Sequence, residues 1–287
     1  MENSYLISYN YFEEQFVLPD FYVYQIGRIV CNENTVYPNH YHNNFYELTV
    51  VTKGEGTIYT NNSPVQVKAG DVYLSCLYDI HSVKSSKENP LQYDFCAFYP
   101  KNPLLEKDLL NLATLLHAEH SRLFHSNKIS TLLPLAISEM PNIDKEYSLI
   151  LLNSIFYQLA IYTLRILKKE NIPDNNHIND KNILCYKLMD YINTNINEIR
   201  SLSDLSKVFH YSYNYLSTLF KDVTSIKLID FYNMQRLSVA EKLIVKNELT
   251  LEEIAEKTNF SSAFALSKAF KKHYKLSPSQ HRKQNNF

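Results

Sequence analysis

One helical pattern occurs twice in the last third of this chain, and it limits the fold more tightly than anything else in the sequence. The first copy reads Ser201-Leu-Ser-Asp204, then Leu205, Val208, Ser212, Leu216 and Phe220; the second reads Thr250-Leu-Glu-Glu253, then Ile254, Ala255, Ser261, Leu266 and Phe270. A hydroxyl residue followed three positions later by an acid is a capping box, in which each side chain satisfies a free N–H at a helix start. Each copy then predicts a short helix, a turn at His210-Tyr211 or Asn259-Phe260, a second N-cap at Ser212 or Ser261, and a second helix with apolar residues three and four apart. That is a helix-turn-helix, repeated. Residues 226–246 contain no Pro or Gly and place Ile229, Tyr232, Leu237, Ala240, Leu243 and Ile244 at helical spacing, so they predict one long helix holding the copies at a fixed separation. Ser277-Pro278-Ser279-Gln280, a further capping box with Pro at the first helical position, starts a last short helix.

These residues also resemble a known family. Ile254-Ala255, Asn259-Phe260-Ser261, the run from Leu266 to Lys272, and Leu276-Ser277-Pro278 to Arg282 are similar to the C-terminal signature of the AraC/XylS family, and Tyr215-Leu216-Ser217-Thr218-Leu219-Phe220-Lys221 resembles its first reading helix. The family usually has Gly where this sequence has His210 and Asn259, and a small Ala at Ser206; Asn and His both tolerate the left-handed backbone such turns need. The resemblance implies two helices entering successive major-groove segments of promoter DNA. By position it assigns Tyr213, Asn214, Ser217, Thr218 and Lys221 to the first reader, and Ala263, Phe264, Ser267, Lys268 and Lys271 to the second. Asn214 suits a bidentate pair with adenine, Lys268 reaches guanine, and Ala263 with Phe264 offers apolar surface to thymine methyls.

Charge agrees with a polyanion partner for this half alone. Residues 180–287 carry 16 Lys and Arg against 11 Asp and Glu, a net +5, which leaves 13 against 19, a net −6, for residues 1–179. At 287 residues, with 45% hydrophobic content and 23 Tyr, the chain is long enough for two cores without staples. Cys31, Cys76, Cys96 and Cys185 form no Cys-x-x-Cys pair, so they read as buried thiols of a reducing cytoplasm. The N-terminus lacks the basic and apolar segments of a signal peptide.

The first half reads differently. After a mixed arm to about residue 20 come short alternating runs at 21–30, 45–51, 57–60, 65–67, 72–75 and 93–99, separated by turn chemistry at Lys53-Gly54-Glu55-Gly56, Asn61-Asn62-Ser63-Pro64 and Ala69-Gly70-Asp71. A small β-barrel or jelly roll fits best. Within it, His40, His42, Glu47, Gly54 and, beyond Gly70, His81 have a spacing that resembles the cupin motifs, although Asn34, Cys76, Tyr78 and Ser85 replace other residues of that frame. Two readings are open for His40, His42, Glu47 and His81: a pocket, with a divalent metal as one option, or polar side chains hydrogen-bonded inside a barrel. Arg28, midway along a strand, is either an effector clamp or an ordinary surface or paired arginine.

Helices are expected at 104–117, 129–140 and 146–169. The last is apolar nearly all round, broken by Asn153, Ser154, Gln158 and Arg165; it is a poor membrane span and reads as a helix burying one side on the barrel and the other on a second subunit, or else as a monomeric core. Residues 169–180, polar and containing Pro173, read as the linker between a cupin-like effector-binding and dimerisation domain, 1–168, and a double helix-turn-helix domain, 181–287. The whole is an α+β two-domain chain: a cupin-like β-barrel or jelly roll with helices, then an all-α domain. The expected function is a cytoplasmic, homodimeric transcriptional regulator, an activator that meets RNA polymerase, with a small molecule such as a sugar as effector and with no cofactor required. The competing reading is a metal-dependent cupin enzyme with a helical assembly domain. The two capped reading helices favour the regulator.

Overall fold

Apolar residues at every second position demand a sheet with one face inside, and the first half of this chain supplies them from many short runs. In the computed structural model, which describes residues 5–41, 45–61, 63–77, 79–116, 122–171, 180–224 and 226–285, the chain divides into two compact units, Met1–Asn179 and Asp180–Phe287. The first unit holds two antiparallel sheets. Strands β1 (Tyr5–Val17), β2 (Phe21–Cys31), β9 (Gln92–Pro100), β4 (Tyr46–Lys53), β7 (Asp71–Ser75) and β10 (Leu123–His125) form the larger in that order, and β3 (Val36–Tyr41), β8 (Ile80–Ser85), β5 (Glu55–Thr60) and β6 (Ser63–Lys68) the smaller. Ile58, Val65, Val67 and Val83 from the small sheet meet Ile29, Val51, Tyr73, Tyr93 and Phe95 from the large one in a single core, so the sheets face each other.

Three helices cover the other face of the large sheet: α1 (Pro103–Leu115), α2 (Asn127–Glu139) and α3 (Ser148–Asn171). Their anchor is aromatic. Phe156 lies 5.8 Å from both Phe21 and Phe98, ring centre to ring centre, and Asn153 exchanges hydrogen bonds with Asp20 at 2.9 and 3.0 Å. α3 buries Leu152, Ile155, Phe156, Leu159, Ala160, Leu164 and Leu167 in one stripe but leaves Leu149, Ile150 and Leu151 exposed.

Several expectations change here. The arm before residue 20 is strand β1, paired along β2, with an irregular register between Tyr11 and Phe16 where Glu13-Glu14-Gln15 interrupts its alternation. Strands β3, β8 and β10 had no sequence counterpart. Of the proposed linker, α3 takes residues up to Asn171, and 172–179 lie outside the described residues.

The second unit is helical: α4 (Asp180–Thr194), α5 (Leu205–Phe209), α6 (Tyr213–Thr224), α7 (Leu228–Lys246), α8 (Leu251–Lys257), α9 (Ala263–Tyr274) and α10 (Pro278–Asn285). Thr250 and Glu253 form the complete capping box, while Ser201 caps only a 3-10 turn at Leu202–Asp204 and Asp204 turns instead to Lys207 at 3.1 Å. The N-cap of α9 is Ser262 rather than Ser261, its hydroxyl accepting from the Ala265 N–H at 3.1 Å. Leu216 and Phe220 of α6 and Leu266 and Phe270 of α9 are fully buried; the latter two pack on Leu237, Ala240 and Ile244 of α7. The four cysteines are free and buried, and burial pushes the Cys31 thiol up to about 11 and Cys185 to about 12.

Candidate functional site

Burying Leu216 and Phe220 turns the opposite side of α6 to solvent. Asn214, Thr218 and Lys221 are exposed there, with Tyr213 and Ser217 half-buried beside them. On α9 the same logic exposes Lys268 and Lys271 and half-buries Ala263 and Ser267. Phe264 is 79% exposed, so it does not pack inward. Each helix therefore carries a polar or reaching face over a rigid apolar one, with Asn214 on α6 and Ala263 and Phe264 on α9 at the N-terminal end, where a groove-reading helix approaches bases. Both turns leading to these helices are left-handed at non-glycine residues, His210 at φ 58° and Asn259 at φ 57°.

The second turn carries more than its φ. The two protons of the Asn259 Nδ2 are shared among the carbonyls of Ile196, Asn197 and Ile199, at 3.3, 3.1 and 3.3 Å. Tyr232 of α7 donates its hydroxyl to the same Ile199 carbonyl at 2.6 Å. Arg236, one turn further on, donates to the carbonyls of Thr258, at 2.7 Å, and Asn259, with its guanidinium 3.8 Å from the Phe260 ring centre. The sequence marked Asn259 as a turn and passed over Arg236, because neither pairing can be read from local spacing. A groove of about 630 Å³ beside this turn is lined by Arg200, Glu252, Glu256, Ser262 and Phe264 among others.

In the first unit Glu47 on β4 and His81 on β8 meet across the two sheets, His81 Nε2 lying 3.6 Å from Glu47 Oε1, both buried. Burial pushes the Glu47 carboxyl up to about 8, against a weaker opposing hydrogen bond from Thr49. His40 stands opposite His81 in the β3–β8 register, and His42 lies outside the described residues. Thr60, the other register partner of His81, shares a 2.8 Å hydrogen bond with the Tyr73 hydroxyl. Among the described residues no group of three His, Cys, Asp or Glu is placed to hold a metal ion.

Arg28 stands apart from this group. It forms a bidentate pair with Asp94, at 2.5 and 2.9 Å, and the register Arg28↔Asp94↔Val50 sets it on the opposite sheet face from Glu47, whose partners are Ser75 and Ala97. Sequence reasoning missed a second buried charge: Asp79 receives Arg122 and the Cys76 N–H, and Arg122 also donates to the Leu116 carbonyl. A three-residue strand, β10, returns Arg122 to the sheet, and alternation that short announces nothing. The larger surface groove, about 870 Å³, runs along Thr57, Tyr59, Gln66, Lys68 and Lys84, which alternate with the core residues Ile58, Val67 and Val83.

Comparison with known proteins agrees with both halves. Residues 22–160 match the family described as AraC-like ligand binding domain, and residues 205–284 match the helix-turn-helix domain family. An uncharacterized HTH-type transcriptional regulator, YdiP of Escherichia coli, is 25% identical over 86% of this chain and 81% of its own length. The Msm operon regulatory protein of Streptococcus mutans is 22% identical over 83% and 84%. Among solved structures, an apo variant of ToxT from Vibrio cholerae superposes with a TM-score of 0.59 at 18% identity, over 94% of this chain and 98% of that one. Wild-type ToxT bound to an unsaturated fatty acid gives 0.55 at 16% identity, over 94% and 96%. At these identities the likeness to ToxT is one of fold.

Proposed function

Because this chain is an AraC-type DNA-binding transcriptional regulator with a ligand-binding N-terminal domain, we propose that it is an intracellular homodimeric activator whose α6 and α9 read two neighbouring segments of promoter DNA and present it to RNA polymerase. The observation that carries the reading is the pair of helices with buried apolar backs and exposed Asn214, Thr218, Phe264 and Lys268. Tyr213, Ser217, Lys221, Ala263, Ser267 and Lys271 complete the contact set. Regulation rather than catalysis is supported by the relatives, which are regulators. Domains at 1–168 and 181–287 joined through 169–180 remain our division of labour.

The effector enters the first unit near Glu47 and His81, with His40 on the neighbouring strand and His42 kept in the set from the sequence; Arg28, already held by Asp94, serves the sheet. What supports the location is chemistry: a carboxyl and an imidazole set among apolar side chains between two sheets are the few polar groups in an apolar lining that a small-molecule site needs. A sugar is the sequence-based expectation, and the fatty acid of ToxT offers the second class. Two experiments test the reading. Selection from a random duplex library followed by footprinting gives two adjacent protected major-groove segments, and a protein without sequence preference would overturn it. Thermal shift with free sugars and with unsaturated fatty acids separates the effector classes, and Glu47→Gln and His81→Ala abolish induction while leaving effector-free DNA binding intact; induction that persists in both places the pocket elsewhere.

A further inference from the structure

Two units seated on one helix take their relative rotation from how each packs on that helix and from any contact made directly between them. Here α7 spans 19 residues, a rod of about 28 Å at 1.5 Å per residue, and the second helix-turn-helix follows it after a left-handed residue, Asn247 at φ 56°. Packing on Leu237, Ala240 and Ile244 seats that unit on α7, and Arg236 extends the seat to the carbonyls of Thr258 and Asn259. None of these contacts reaches the segment that leads into the first helix-turn-helix. The Asn259 side chain does, because the three carbonyls it binds belong to the turn at Ile196–Ile199, two residues before Ser201, the cap that opens the first unit. Tyr232 ties the same Ile199 carbonyl back to α7.

We infer that the Asn259 amide is a clasp that fixes the rotation of the second reading helix relative to the first, and so sets which spacing between two DNA half-sites this protein accepts. Glycine would satisfy φ 57° equally well and make none of these bonds, so the side chain's contribution is separable from the turn's. The first turn gives the contrast: His210 has the same backbone conformation and is exposed, so there the left-handed residue only turns the chain. A pre-set rotation binds the matching spacing without first losing rotational freedom, and it discriminates against a spacing changed by one base pair, since each base pair turns the second segment by about 35°. Asn259 is thus a positioning residue that touches no base.

The inference rests on both helices reading DNA, and the test separates the two. The probe is the duplex that the wild-type protein selects from a random library, together with versions carrying one base pair more or fewer between the half-sites and one version with the second half-site scrambled. Wild type loses affinity steeply on either spacing change. Asn259→Gly binds the best spacing about threefold to tenfold more weakly and shows a flattened spacing profile, yet matches wild type on the scrambled duplex, which reports that the first unit is folded. Asn259→Asp, which keeps the turn and the size but has no donor for carbonyls, flattens the profile in the same way. If both variants keep the wild-type profile, the clasp is overturned while two-helix reading stands. If scrambling the second half-site costs wild type nothing, two-helix reading fails and the clasp fails with it.

Discussion

Burial pushes the Glu47 carboxyl from its ordinary 4.5 up to about 8, so at neutral pH the native barrel holds it protonated, 3.6 Å from His81. An acid whose native pKa is raised favours the folded state fully below its unfolded value and loses that contribution as pH climbs through the native one. The contribution of Glu47 to stability should therefore fall between about pH 4.5 and 8, by on the order of a few kcal/mol. Glu47→Gln should flatten that slope in thermal melts and leave the variant the more stable protein at pH 9; equal pH slopes in wild type and variant would show Glu47 already ionised. Backbone demands are as local. Gly54 has φ +74°, and a Cβ there would lie 2.0 Å from the Pro90 carbonyl oxygen, so Gly54→Ala should cost at least about 2 kcal/mol in denaturant titration. Gly70, at φ +96° with nothing near its missing Cβ, carries only the backbone term, about 1 kcal/mol, for the same change. Equal losses at both positions would show that the loop at Pro90 yields.

Helices announce themselves through caps and period, which is why α6 to α10 were legible: Thr250-x-x-Glu253 and Ser277-x-x-Gln280 close their boxes in the structure, at 2.8 and 2.9 Å for the returning bonds. Strands were legible where alternation ran unbroken, as in β2 and β9, and were lost where Pro38 sat in β3 or three residues made β10. Of the barrel group, the sequence singled out Glu47 and His81, which do meet, and Arg28, which the pleat sends to the other face. Asn259 and Arg236 could not be read in advance, because their partners lie about 60 and 20 residues away, at 196–199 and 258–259. At this scale the two reading helices differ in chemistry. Asn214→Ala should cost about 1 to 3 kcal/mol and relax preference at one base of the first half-site, as a bidentate amide does. In α9 the most exposed large hydrophobic side chain is Phe264, at 79%, and it has no hydrogen bond to offer a base edge. Scrambling the second half-site should therefore cost less than scrambling the first; measured affinities in the reverse order would make α9 the discriminating reader.

Charge and surface divide along the same boundary as the contacts. The cut at Asn179 separates a unit of net −6 from one of +5, so attraction to a polyanion belongs to the second unit and the first has other surfaces to offer. α3 is its most unusual one. Residues Ser148–Lys169 are long and apolar enough to cross a membrane by length and composition, yet the stripe from Leu152 to Leu167 is buried against the sheet and its neighbouring helices, and a bilayer crossing would strip that core. What α3 and the residue before it leave outside is a block: Tyr147 at 68% exposure, Leu149 at 42%, Ile150 at 65% and Leu151 at 47%. Four large side chains grouped on a surface, with only buried Ser148 between the first and the rest, mark a contact for another protein, and a second copy is the occupant that the homodimer reading calls for. Ile150 points outward, so Ile150→Arg removes no core packing and should leave the melting temperature of the monomer unit unchanged while setting a charge in the contact. Wild type should sediment as a dimer at micromolar concentration and the variant as a monomer, with weaker binding to tandem operator copies. A wild-type protein that sediments as a monomer, or a variant that stays dimeric, would place the subunit contact on a different face.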